Sequence, residues 1–324
     1  MGDPAAFADA AEYHLVVPVI APILSELDLP ADVRSSLMHK AHTQALRSLH
    51  AGAQLGEIVS TLTTAGVPLL VLKGLPLALN TTGRLAGRHP GDIDVLIDVG
   101  TLDEAAAALV AGGWDPPRDR ANGVDPSWRR WLRYVFNQVL MTRDDAAVEI
   151  HWRLESTVAT DVDFAGLWHR RGSVSPSDTE IPVLGEVDEM TFVAVHAGRH
   201  RLERLKWAVD VARLLAQRPQ LVDEVTATAD AWHARRCLDV AFDGVDALGL
   251  LDLGATPDPS ILEPLDKFAL MRFRYGLVER PADKVRMLAG YVGPQPALAD
   301  ERVPDRLALA AAPFRQLWRG ISRR

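Results

Sequence analysis

Asp92-Ile93-Asp94 limits what this chain can fold into more than any other stretch, because it sets two carboxylates where a buried strand is expected. The loop Gly87-Arg88-His89-Pro90-Gly91 runs into it, and the apolar Val95-Leu96-Ile97 follows. Side chains alternate across a strand, so Asp92 and Asp94 are expected on one face. Two adjacent carboxylates repel when both are ionised, and a cation between them relieves the repulsion. A hard divalent ion such as Mg2+ suits the pair, since it takes oxygen ligands and shares them with substrate phosphates. A turn aspartate followed by a strand-end aspartate gives the same letters, so the argument rests on the flanks.

Upstream, the apolar run at 67–72 reads as a strand ending at Lys73-Gly74, with Leu75-Pro76-Leu77 opening a helix. Proline is favoured just inside a helix start, where its missing N–H is not needed. A strand, a glycine and a helix N-terminus make an anion site, because free N–H groups and the helix dipole face outward. The chain has five lysines against thirty arginines, and one of the five stands at the end of this strand. An ordinary core places no charge there, although a lysine can also snorkel out of a strand end.

Downstream, residues 134–142 and 146–152 read as two strands around the turn Arg143-Asp144-Asp145. Val148, Ile150 and Trp152 fall on one face, Glu149 and His151 on the other. Glu149 is thus a third carboxylate on what is expected to be the same sheet. Three carboxylates from two strands can hold two metal ions, as metal-assisted phosphoryl transfer requires.

The ordered set of strand, Lys73-Gly74, helix, Arg88 with Asp92 and Asp94, and a hairpin carrying Glu149 and His151 resembles the DNA polymerase β-like nucleotidyltransferase superfamily. More narrowly, it is similar to a bacterial family of uncharacterised nucleotidyltransferases, in which Lys-Gly replaces the superfamily's usual Gly-Ser. The likeness continues into the helix containing His196, His200, Arg204, Trp207 and Asp210, and so spans roughly residues 50–215. The resemblance implies an α+β fold: a small mixed-sheet nucleotidyltransferase core with N-terminal helices and a C-terminal helical domain. It also implies nucleotidyl transfer from a nucleoside triphosphate, ATP foremost, to a small molecule or peptide, with two Mg2+ ions. Asp92, Asp94 and Glu149 would then be the catalytic and metal-binding residues. Lys73, Gly74, Arg88, His151, His200 and Arg204 would bind the nucleotide. Arginine at position 88 offers a bidentate phosphate contact that lysine does not.

The rest of the chain is expected to divide into an N-terminal helical segment 1–64, an α/β core 65–155, a linker 156–185 and a helical domain 186–324. Leu37, Ala41, Ala45 and Leu49, continuing through Leu55 and Ile58, recur at helical spacing in the first part. The turn-rich stretch from Gly172 to Asp178 is the best candidate connection. A helix over about 187–217 would align His196, His200 and Trp207, and less closely Arg204 and Asp210, on one side. That side either joins the helices to the core or closes over the site. A zinc reading of His196 and His200 lacks the adjacent glutamate and a cysteine partner.

Net charge is −8, which weighs against a long nucleic acid as partner, since phosphate backbones need a basic surface. The arginine-rich stretch 128–133 and the tail 319–324 read as solvated faces. The single cysteine, Cys237, and a start without the basic region of a signal peptide lead to a cytoplasmic expectation. The apolar run at 15–24 contains Pro18 and Pro22 and is too short to span a bilayer, so no membrane partner is expected. Two other readings stay open on the same residues. The stretch from Gly83 to His89 also resembles aminoglycoside-type drug-modifying transferases. Alternatively, the fold binds a nucleotide or a partner without catalysis.

Overall fold

A computed structural model describes residues 3–89, 91–116, 131, 133–144, 146–176, 180–253 and 259–292. Most of the arginine-rich stretch at 128–133, Asp145 of the hairpin turn, Ser177, Asp178 and the tail 319–324 lie outside the described residues.

Among the described residues the strands are β1 Leu69–Val71, β2 Ile93–Ile97, β3 Gln138–Arg143, β4 Ala146–His151, β5 Gly172–Val174 and β6 Ile181–Val183. They form one mixed sheet in the order β3-β4-β2-β1-β6-β5. The helices are α1 Pro4–Tyr13, α2 Val17–Ile20, α3 Ala31–Thr64, α4 Leu75–Thr82, α5 Leu102–Ala111 and α6 Phe164–His169. They continue as α7 Glu186–Arg199, α8 Leu205–Gln217, α9 Val222–Ala231, α10 Arg235–Ala247, α11 Lys267–Leu277 and α12 Pro281–Val292. The fold is α+β, as the sequence implied.

β2 is central and wholly buried, which explains why its apolar residues run on without a polar partner face. One face of the sheet, with Val71, Val95, Ile97, Val148 and Ile150, packs against Leu55, Ile58 and Leu62 of α3 and Leu109 of α5. The opposite face carries Leu70, Leu72 and Leu96, which pack against Leu154, Phe192 and Val195. Each fully buried leucine or isoleucine stabilises by about 1.5–3 kcal/mol relative to exposure. The register sets Asp94 beside Glu149 and Leu96 beside His151 on parallel strands, so the polar pair shares a face with the second apolar layer.

Three local expectations change. Leu49 of α3 is 58 % exposed, because the helix turns that position outward and buries Ser48 instead. Gly172–Val174, within the stretch read as a connecting loop, is strand β5, antiparallel to β6. The helix expected over 187–217 is two helices, broken between Arg199 and Leu205. Arg201 and Leu202 there adopt left-handed backbone, with φ of 52° and 50°. No glycine or proline marks the break. Its compensation is tertiary: Leu202 is buried against Gly244 of α10, where a Cβ would come within 2.3 Å of it. Gly198 likewise lets α7 and α10 approach, since a Cβ there would lie 1.8 Å from the Cys237 carbonyl oxygen. Among the described residues, no single helix is long and apolar enough to cross a membrane.

Candidate functional site

β1 delivers Lys73 beside β2. Leu72 donates its N–H to the Asp94 carbonyl at 3.1 Å, which draws the next side chain toward that aspartate. Gly74 then turns the chain at φ 78°, a conformation that glycine adopts without strain, and α4 starts with Pro76 in its first turn. No side chain caps that helix, and Gly74, the residue before its first turn, lines the cavity. Gly74 and Lys73 line a cavity of about 360 Å³ together with Asp92, Asp94, Glu149 and His151.

Asp94 is the buried centre of this group, at 1 % exposure. Its Oδ1 accepts from Lys73 Nζ at 2.8 Å and lies 3.1 Å from His151 Nε2. Its Oδ2 is buried and has no hydrogen-bond partner among the described residues. His151 Nε2 is also 3.5 Å from Glu149 Oε2, and its other ring nitrogen meets Asn137 Nδ2 at 3.2 Å. One donor atom each from Asp94, Glu149 and His151 fall within 4.8 Å of one another, close enough to hold a metal ion. The partnerless Oδ2 and the two carboxylates fit a hard cation. Asp92 is exposed at the rim and lines the same cavity without joining the tight cluster.

The charges interact strongly. Burial opposes ionised Asp94, yet Lys73 and His151 hold its pKa far below the ordinary carboxylate range. Asp92 moves the other way: although the residue is exposed, partial desolvation of its carboxyl against the cavity, then Glu149 and Asp94, raise its pKa. Burial works against charge on Lys73 and His151, but Asp94 raises both. Bringing a cation to this group therefore relieves a concentration of negative charge.

The opposite wall comes from α7, α8 and the loop after β4. His200 lies against His196 and Trp207, with ring centroids 4.7 Å and 4.9 Å apart. Burial, with His196 and Arg199 close by, pushes the His200 pKa down to about 2, so this ring is neutral near pH 7. Arg88 lines the cavity, but its Nε donates to both carboxylate oxygens of Asp210 at 3.0 and 2.9 Å. Nε of the guanidinium expected to grip phosphate is thus committed to a buried ion pair with α8, while neither Nη group bonds Asp210. Arg204 is not among the cavity's lining residues: it stacks 3.8 Å over the Tyr13 ring and donates to the Tyr13 carbonyl. The helix break swings it away from the face on which uninterrupted helical spacing puts it.

Sequence reasoning missed Glu155, Arg199 and Lys206, all of which line the cavity. Lys206 was within reach, since the scarcity of lysine that singles out Lys73 applies to it equally. Of the cavity's cations, Lys73 pairs with Asp94, Arg88 with Asp210 and Arg199 with Glu155. Lys206 has no ion-pair partner among the described residues. Burial and then the Arg88 charge lower its pKa to about 8.

No curated protein matches the chain. Residues 1–247, which contain every part of the site just described, match the family described as Uncharacterised nucleotidyltransferase, and the chain belongs to that family.

Proposed function

We propose that the protein moves a nucleoside monophosphate from a nucleoside triphosphate, ATP foremost, to a small molecule or peptide. The observation that carries the reading is the buried Asp94 with its partnerless Oδ2, set beside Glu149 and two cavity lysines. Asp92, Asp94 and Glu149 would hold Mg2+, with His151 alongside; bound metal neutralises charge on the phosphate oxygens. Lys73 and the Gly74 turn at the start of α4 receive phosphates, and Lys206 adds a cation not committed to a carboxylate. His151 and Lys73 steady Asp94 from one side, so its second oxygen faces a ligand in a fixed direction. Net charge of −8 favours a compact acceptor over a long nucleic acid.

One observation favours a second reading. The Lys73 ammonium, 2.8 Å from Asp94, already supplies positive charge at the cluster, as in a protein that binds nucleotide without turnover. Each of the four ribonucleoside triphosphates, labelled at the α-phosphate, would be incubated with Mg2+, the protein and panels of aminoglycosides and peptides. Label on an acceptor with release of pyrophosphate supports transfer. Metal-dependent binding with no turnover across the panels selects the second reading, and absence of binding by any nucleotide sinks both.

A further inference from the structure

Glu155 lies in the loop that leaves β4, and its side chain is 5 % exposed. Its Oε1 accepts from His196 Nδ1 at 2.8 Å, and its Oε2 pairs with Arg199 Nη1 at 2.9 Å. Burial opposes its charge, but Arg199 and His196 hold its pKa far below the carboxylate range. An ionised carboxylate only accepts hydrogen bonds, so Nδ1 must carry the proton of the neutral imidazole. Nε2 is then left with a lone pair, since the side-chain hydrogen bond of His196 to Glu155 is made through Nδ1. The ring lines the cavity that holds Asp94 and Glu149. Phe192 and Trp207 pack against it, with centroids 6.0 and 5.6 Å away, which limits its rotation. A ring held by a buried carboxylate at one nitrogen, in the wall of the cavity that also holds two carboxylates, has the arrangement of a general base.

We infer that His196 is the general base of the transfer proposed above and that Glu155 is its positioning residue. The inference rests on that reading. In the step, an acceptor hydroxyl or amine attacks the α-phosphorus of the nucleoside triphosphate and gives its proton to His196 Nε2. The bond from acceptor to phosphorus forms as the bond from phosphorus to the oxygen bridging toward the β-phosphate breaks. Pyrophosphate leaves with that electron pair, and the imidazolium releases its proton to water. The charges facing the ring keep it neutral beforehand. Burial and Lys73 at the end of β1 lower its pKa below 6.5, Glu155 opposes them, and Arg199 on its own helix adds to the lowering. His200, which caps the C-terminus of α7, is neutral near pH 7 and adds no charge to that balance.

The test compares wild type, His196→Gln, His196→Ala and Glu155→Gln, using Mg2+, the four nucleotides and the aminoglycoside and peptide panels above, and reading pyrophosphate release. His196→Gln should lower kcat by roughly 10²-fold or more while ATP affinity stays within about two-fold. The acidic limb of the wild-type rate profile, which should fall at a pH below the ordinary histidine range because burial and Lys73 lower the ring's pKa, should vanish in that variant. Added imidazole should restore part of the rate to His196→Ala. Glu155→Gln should slow the reaction without removing the limb. In ¹⁵N-labelled wild type at pH 7, the His196 proton should sit on Nδ1. Wild-type rate and pH profile in His196→Gln, or a proton on Nε2, would overturn the inference and leave transfer intact. Wild type that releases no pyrophosphate from any of the four nucleotides with any acceptor of the panels above overturns the transfer reading and this inference with it.

Discussion

Lys73 and Asp94 meet as a 2.8 Å ion pair at the junction of two antiparallel strands, and the contact uses only one of the aspartate's oxygens. The other, Oδ2, is buried without a partner among the described residues. Leaving a buried acceptor unsatisfied costs about 1–3 kcal/mol, and more when it is charged. A cation placed at Oδ2 removes that cost. Asp94→Asn should therefore abolish transfer and eliminate the Mg2+ dependence of ATP binding, measured by calorimetry with and without the metal, while the far-ultraviolet circular dichroism stays that of the wild type. Unchanged Mg2+ dependence in the variant removes Asp94 from the metal site.

Glu149 stands beside Asp94 on the parallel neighbour strand. If it acts mainly when charge develops on the reacting phosphate, Glu149→Gln should lower kcat by about 10²-fold or more and change KM little. Steady-state kinetics on both proteins decides it. A near-normal kcat, or a change confined to KM, contradicts the assignment.

Lys206 and the triphosphate are linked through pH. Its pKa in the free protein is lowered to about 8, so it loses its charge as pH rises through that value. The cation is present below the pKa, which makes ATP tighter at pH 7 than at pH 9. AMP, lacking the outer phosphates, should show a much smaller change. Lys206→Met should flatten the ATP dependence and reduce the preference for ATP over AMP, read by titration calorimetry at both pH values. Identical pH curves in wild type and variant would exclude contact between Lys206 and the phosphates.

Arg88 and Asp210 are 5 % and 3 % exposed in their side chains, and each is the other's ion-pair partner. Arg88→Ala strands a buried carboxylate, a change that destabilises by about 3–5 kcal/mol when one member of a buried pair is removed. Urea denaturation should show the loss, and Arg88→Ala combined with Asp210→Leu should recover part of it. An Arg88→Ala protein with wild-type stability and weakened ATP binding would instead return Arg88 to the phosphate-binding role.

Strand alternation was legible in the letters. It groups Glu149 with His151 and separates them from Val148 and Ile150, and the parallel register with β2 adds Asp94 to that polar face. The strand-to-helix turn at Lys73-Gly74 was legible too, because glycine and proline mark it locally. The break at His200 to Arg204 was not. Its strained residues are Arg201 and Leu202, and what holds them is the groove at Gly244, far along the chain. The misplaced Arg204 follows from that one hidden turn. Glu155 was invisible for a related reason. It sits in irregular chain, where no period predicts direction, and its meaning comes from His196 and Arg199 on a later helix.

The pairing of β1 with β6 joins segments that lie far apart in the chain. β1 lies between β2, which follows soon after it in the chain, and β6, which pairs through Val71 and Val183. During synthesis the N-terminal parts fold first, and non-local pairings wait for the later segments. A nascent chain that has not yet reached residue 183 keeps the outer side of β1 as an unpaired edge, next to Lys73. Unpaired edges recruit strands from other chains. Copies truncated between β4 and β6 should therefore aggregate more readily than the full chain, which light scattering of the two would show.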